Sequence, residues 1–251
     1  MLVLLTIGVI GGGLSGLFGV GGGIVLVPLL MFFAGLDQRR AAATSLLAIL
    51  PSAIAGSVTY LINGEIDIAA GLIIAAGAIV GSVIGANLLK RLPLGWLRWL
   101  FILMLVIVAV RMMLTVPQRE VTLELSVPLF FGYLALGLVM GLAAGMFGIG
   151  GGVIAVPALV AIVGISDLVA KGTSLLAIVP TSISGTIANA RHRLLEVRTG
   201  LIVGVAAAAA SVGGSLLAQV LPPRESNLLF ALLLLAIAVQ LAVRALRARR
   251  S

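Results

Sequence analysis

The sequence predicts an all-α integral membrane protein made of two homologous halves in inverted topology. Composition is the first observation behind this: 61% of the 251 residues are hydrophobic and 10% charged, with a mean hydropathy of +1.29. Water-soluble domains hold about half apolar and a quarter charged residues. Apolar runs are the second. Runs of the roughly 20 residues that cross a ~30 Å hydrocarbon core recur along the chain, and the ~10-residue alternation of a membrane β-barrel is absent. The third observation is a motif that occurs twice. GLFGVGGGIVLVP at Gly16–Pro28 returns as GMFGIGGGVIAVP at Gly145–Pro157, offset by 129, with eight of thirteen positions identical.

The offset persists beyond the glycine motif. Thr44–Gly56 (TSLLAILPSAIAG) matches Thr173–Gly185 (TSLLAIVPTSISG) with nine identities in thirteen, and Gly71, Ser82, Gly85 and Pro93 fall on Gly200, Ser211, Gly214 and Pro222. The chain therefore divides into a first transmembrane repeat (1–114), a polar linker (115–126) and a second repeat with a basic C-terminal tail (127–251). The apolar N-terminus lacks the basic stretch of a signal peptide, and its Gly8, Gly12 and Gly16 have counterparts in Gly137, Gly141 and Gly145. It is expected to be retained structure.

Five apolar elements are expected per half. In the first half they cover Leu2–Phe18, Ile24–Phe33, Ala41–Ile62 with an interruption at Pro51, Ile68–Leu89 and Leu94–Leu114. The second half repeats them as Val127–Phe147, Val153–Val163, Val169–Ala190, Thr199–Val220 and Asn227–Leu246. The second element has about ten residues, and at 1.5 Å per residue it reaches about half-way through the core. It is expected as a half-helix or re-entrant element, further restricted by Pro28.

Charge placement orients the halves. If each half crosses an odd number of times, one side holds Arg39, Arg40, Lys90, Arg91, Arg98, Arg191, Arg193, Arg198, Arg244, Arg247, Arg249 and Arg250. The other holds Arg111, Arg119, Lys171 and Arg224, a division of 12 to 4. An even number gives 9 to 7. The positive-inside rule selects the first solution, with inverted halves and both termini cytoplasmic. The net charge of +8 is thus an orientation signal and not a nucleic-acid footprint. The chain has no cysteine, which excludes disulfides and thiolate metal sites.

Two constellations are candidates for substrate contact. Glycines at four-residue spacing (Gly8, Gly12, Gly16; Gly77, Gly81, Gly85) suit close helix packing. Gly19, Gly21, Gly22 and Gly23, with Gly148, Gly150, Gly151 and Gly152, differ, because adjacent glycines disfavour helix and free backbone N–H groups. Inside a membrane such groups must line protein or a water-filled cavity. A half-helix starting there points its donors and positive dipole end at that cavity, which suits an anion. A purely structural break is the competing reading. The second constellation is the hydroxyls around each repeated proline: Thr44, Ser45 and Ser52, with Thr173, Ser174, Thr181 and Ser182. Such hydroxyls commonly bond back to the preceding turn, but broken helices at repeat interfaces are where secondary transporters bind substrates.

No Asp, Glu, Lys or Arg is expected deep in an apolar element, so no carboxylate relay of the proton-pump kind is expected. His192, between Arg191 and Arg193, is expected in a loop. A nucleophile with a buried base or metal ligands is not visible, and Gly19–Gly23 lies in the wrong solvent for a nucleotide loop. The chain is expected to be no enzyme and to need no cofactor.

The paired glycine motifs ending at Pro28 and Pro157, with the two Thr-Ser-Leu-Leu-Ala-Ile segments, resemble the TauE/SafE family of membrane permeases, the sulfite exporter and toluenesulfonate uptake family. The resemblance covers both halves. It implies a secondary transporter in a bacterial-type inner membrane for a small oxo-anion, sulfite or an organosulfonate. Export by rocking of one half against the other is expected, with an uptake permease or a passive anion channel as the alternatives.

Overall fold

The computed structural model describes residues 1–114 and 126–247. The linker expected at 115–126 falls almost wholly outside the described residues, as does the end of the basic tail. The described chain is helical throughout: α1 (Leu2–Phe18), α2 (Gly23–Phe33), α3 (Gln38–Ile62), α4 (Ile68–Arg91), α5 (Leu94–Leu114), α6 (Val127–Phe147), α7 (Gly152–Ala158), α8 (Asp167–Ala190), α9 (Val197–Val220) and α10 (Pro223–Arg247). A π-helical turn at Leu159–Val163 continues α7. Six of the helices (α3, α4, α6, α8, α9 and α10) are long and apolar enough to cross a membrane.

Helix starts differ from the sequence expectation where a polar cap extends the first turn. The Asp37 carboxylate accepts the N–H groups of Arg39 and Arg40, so α3 begins at Gln38 and not at Ala41. Ser166 caps Val169 N–H, so α8 begins at Asp167 and not at Val169. A side-chain acceptor satisfies donors that the helix leaves open, so hydropathy alone places the start too late. The interruptions expected at Pro51 and Pro180 are corrected. Both lie inside continuous helices, where each proline lacks the N–H that would bond to the carbonyl of Leu47 or Leu176, without ending the helix.

The short α2 folds back along α1. The chain reverses at Gly19, and a Cβ added to Gly22 would fall 2.2 Å from the Gly11 carbonyl oxygen. A Cβ on Gly151 likewise meets the Met140 carbonyl at 2.6 Å; Met140 is the counterpart of Gly11. In both halves the first two elements therefore form a hairpin, so the chain returns towards the side from which α1 or α6 set out.

The halves are related by an approximate two-fold arrangement of contacts. Gly8, Gly12 and Gly16 of α1 lie so close to α9 that an added Cβ would fall 2.4, 2.1 and 2.0 Å from the carbonyl oxygens of Val203, Ala207 and Ser211. Gly77, Gly81 and Gly85 of α4 approach Leu134, Leu138 and Leu142 of α6 to 2.2, 2.2 and 2.3 Å. Each pair runs parallel, and these are small residues letting backbones touch. The repeat partners α3 and α8 run antiparallel: Gly56 lies beside Leu175, Gly185 beside Leu46, and Gly172 beside Tyr60. The outer helices follow the same rule, since Phe18 of α1 stacks on Phe230 of α10 at 4.8 Å and Phe147 of α6 on Phe101 of α5 at 5.1 Å.

The principal neighbour of α1 is α9, and that of α6 is α4. The halves are therefore interleaved through their first helices.

Candidate functional site

At the centre of the two-fold arrangement the glycine segments cross. A Cβ on Gly23 would meet Gly148 O at 2.4 Å and Ile149 Cα at 2.6 Å. On Gly152 it would meet Val20 Cα at 2.6 Å and Gly19 O at 2.7 Å. The two segments thus pass each other antiparallel, 19 against 152 and 23 against 148, with Gly21 and Gly150 in the middle. There an added Cβ would touch only the side chains of Ile49 and Ile178, at 3.1 Å or more. Glycine is required by conformation as well as by space: φ is +79° and +75° at Gly21 and Gly22, and +76° and +89° at Gly150 and Gly151, a left-handed region that penalises a Cβ.

The crossing is buried, and its backbone donors are unused. Gly19 N–H bonds to Ser15 O and Val25 N–H to Gly22 O, but among the described residues no hydrogen bond ends on the N–H of Val20, Gly21, Gly22, Gly23 or Ile24. The second half matches. Gly148 N–H bonds to Ala144 O and Ile154 N–H to Gly151 O, while the backbone N–H groups of Ile149, Gly150, Gly151, Gly152 and Val153 have no acceptor among the described residues. All ten residues are buried. Buried backbone N–H groups are paired in the great majority of cases, so this concentration of open donors at two helix starts sets the crossing apart from the packing glycines.

The predicted hydroxyls divide. Thr44 and Thr173 are occupied structurally. Thr44 Oγ1 accepts Glu196 N–H at 3.1 Å and Thr173 Oγ1 accepts Asp67 N–H at 3.0 Å, tying each to the link before α9 or α4. Ser52 and Thr181 bond back to Ile49 O and Ala177 O, as hydroxyls in membrane helices commonly do. Ser45 and Ser174 are the pair at the crossing. Ser45 Oγ donates to Ala42 O or Gly148 O, whereas Ser174 Oγ, 2.9 Å from the Cβ position of Gly152, has no partner. Ser182 Oγ, one residue past Thr181, is also buried without a partner.

The structure also contains what the sequence reading excluded. Lys171 and Asp167 are 2% exposed and form an ion pair, Nζ to Oδ2 at 3.0 Å, with Nζ also donating to Ser226 Oγ at 2.9 Å. Lys171 lies against the glycine crossing, since a Cβ on Gly19 would fall 2.5 Å from Lys171 Cα and 2.9 Å from its Cγ. The expectation of no buried charge is therefore corrected, as is the placement of Lys171 among the loop cations. The signal was present as Asp167-Leu-Val-Ala-Lys171, an acid four residues before a base on one helix face. Placing the start of α8 at Val169 left Asp167 outside the helix and so separated the pair. The equivalent positions in the first half are Gln38 and Ala42.

The chain matches the family model described as Sulfite exporter TauE/SafE over residues 1–112 and 133–251. It is similar to the probable membrane transporter protein YunE of Bacillus subtilis, with 29% identity over 75% of this chain and 77% of that one. It is also similar to a probable membrane transporter protein of Xylella fastidiosa strain 9a5c, with 29% identity over 94% of both chains. A third relative, from Haemophilus influenzae, is 30% identical over 64% of this chain and 63% of its own. With the match spanning both halves and both glycine segments, the chain belongs to the TauE/SafE family and is a multi-pass membrane transporter.

Proposed function

We propose that the protein carries a small oxo-anion, sulfite or an organosulfonate, across a bacterial-type inner membrane by alternating access, binding it at the crossing of Gly19–Ile24 and Gly148–Val153. One observation carries this reading. Two helix starts present buried backbone donors with no acceptor among the described residues, at a point the two-fold arrangement makes common to both halves. Donors of this kind, backed by helix dipoles, suit a tetrahedral or pyramidal oxo-anion and hold it without a fixed charge of their own. Ser45 and Ser174 supply hydroxyls, and Ile49 and Ile178 flank the site. The residue set proposed from sequence is kept, but Thr44, Thr173, Ser52 and Thr181 take supporting places because their hydroxyls are engaged elsewhere.

The antiparallel course of α3 and α8 supports inverted halves, and with the 12-to-4 division of basic residues it supports cytoplasmic termini. An anion moving alone leaves an inside-negative cell with about 2.3 kcal/mol per 100 mV, which favours export. A second reading, uptake together with a cation, is favoured by the buried Asp167 carboxylate. It removes the argument that no group is available for coupling.

Proteoliposomes loaded with labelled sulfite test the proposal. Saturable efflux that is stimulated by sulfite or sulfonate on the other side supports a carrier. Flux that rises without saturation indicates a channel, and no flux of any sulfur oxo-anion removes the substrate class.

A further inference from the structure

The buried polar groups are distributed unequally about the two-fold arrangement. Where α1 ends at Gly19, the surroundings hold Lys171, Asp167, Ser226 and Tyr60, whose hydroxyl donates to Gly16 O at 2.9 Å. Where α6 ends at Gly148, the positions equivalent to three of these carry no charge: Ala42 stands for Lys171, Gln38 for Asp167, and Asn189 for Tyr60. Gln38 Oε1 and Asn189 Oδ1 there are buried without partners. The glycine crossing itself is nearly symmetric, so this charged cluster is the feature that distinguishes its two ends.

We propose that Asp167 and Lys171 form a proton-coupled anion subsite: the carried anion takes Lys171 from Asp167, and the released carboxylate takes up a proton, so that one anion and one proton move together. The inference rests on the anion-carrier reading above and decides between its two directions. The physical argument is charge balance in a dry site. Lys171 is neutralised by Asp167 at 3.0 Å, both 2% exposed. The stem of Lys171 lies over Gly19, so an anion on the neighbouring backbone donors is within the field of its ammonium. An anion that engages the ammonium leaves the Asp167 carboxylate buried beside a second negative charge. A buried charge stripped of its partner is strongly unfavourable, and a proton on the carboxylate removes that charge. The one bond made and later broken is the O–H bond of Asp167. The proton comes from the side on which the anion enters and leaves Asp167 when Lys171 returns.

The neighbouring groups are compatible with this assignment. From α3 and the segment after it, Tyr60 lies in the electrostatic neighbourhood of both Asp167 and Glu65, and the Asp67 N–H is held by Thr173. From α10, Ser226 bonds to Lys171, while Arg224 and Glu225 are exposed. α1 brings no titratable side chain. Asp167 is thus the enclosed carboxylate at this end, with Lys171 as its counter-ion.

Methanesulfonate, which stays a monovalent anion at every working pH, is the probe. In proteoliposomes of the whole chain, wild type is expected to accumulate it about tenfold per unit of inward pH difference, to alkalinise the outside as it does so, and to ignore an imposed membrane potential. Asp167→Asn, which cannot carry the proton, is expected to lose the pH-driven accumulation and to become sensitive to potential. Lys171→Met is expected to lose exchange, with partial rescue by Lys171→Arg. Wild-type exchange that follows the potential and ignores the pH difference overturns the coupling and leaves the carrier reading intact. Absence of any wild-type methanesulfonate exchange ends the carrier reading for sulfonates, and the inference with it. The wild-type measurements decide even if Asp167→Asn fails to fold.

Discussion

At Gly21 and Gly150 an added methyl group would meet only the side chains of Ile49 and Ile178, at 3.1 Å or more, whereas at Gly23 and Gly152 it would strike backbone at 2.4 and 2.6 Å. This difference separates glycines that serve the site from glycines that hold it together. Gly23→Ala and Gly152→Ala are expected to destabilise the protein by about 1–3 kcal/mol through overpacking, read as an earlier thermal transition in detergent. Gly21→Ala and Gly150→Ala are expected to cost about 1 kcal/mol for the left-handed backbone. They should leave a folded protein with weakened anion protection in a thermal-shift titration with sulfite. Folded variants that keep full protection would place the anion elsewhere. The glycine clusters were legible because their repetition at a fixed offset excluded chance. Their division was not, because what a Cβ would meet depends on residues more than a hundred positions away.

The helix contacts argue the same way at the scale of the element. Gly12 and Gly13 are adjacent in α1, but a Cβ on Gly12 would fall 2.1 Å from Ala207 O and one on Gly13 would meet nothing within 4 Å. Gly12→Ala is therefore expected to disrupt the α1–α9 contact, and Gly13→Ala to be neutral or to stabilise by up to about 1 kcal/mol; paired thermal denaturation in detergent compares them. The four-residue glycine spacing disclosed this interface from sequence, since only one face of a helix carries it. The partner helix was hidden, because nothing in α1 says that its face meets α9 and not its own half. The starts of α3 and α8 were misjudged for a related reason: Asp37 and Ser166 look like loop residues until their side chains are seen accepting N–H bonds. For α8 that error had a price in chemistry, because the turn omitted contains Asp167.

For the whole molecule, orientation is the directly testable property. Asn63, after α3, and Arg193, after α8, are exposed, and the chain has no cysteine of its own. Asn63→Cys is expected to react with an impermeant thiol reagent added to intact cells, and Arg193→Cys only after the membrane is opened. Equal labelling of both from outside would contradict inverted halves. The interleaving of α1 with α9 and of α6 with α4 has a further meaning for descent. Two copies of one five-helix chain, inserted in opposite directions and exchanging their first helices, would give the same set of contacts as the present single chain. We propose as ancestor an obligate antiparallel homodimer whose two chains were later joined end to end. Residues 1–114 and 127–251 made as separate polypeptides should then reassemble when produced together and fail to fold when produced apart.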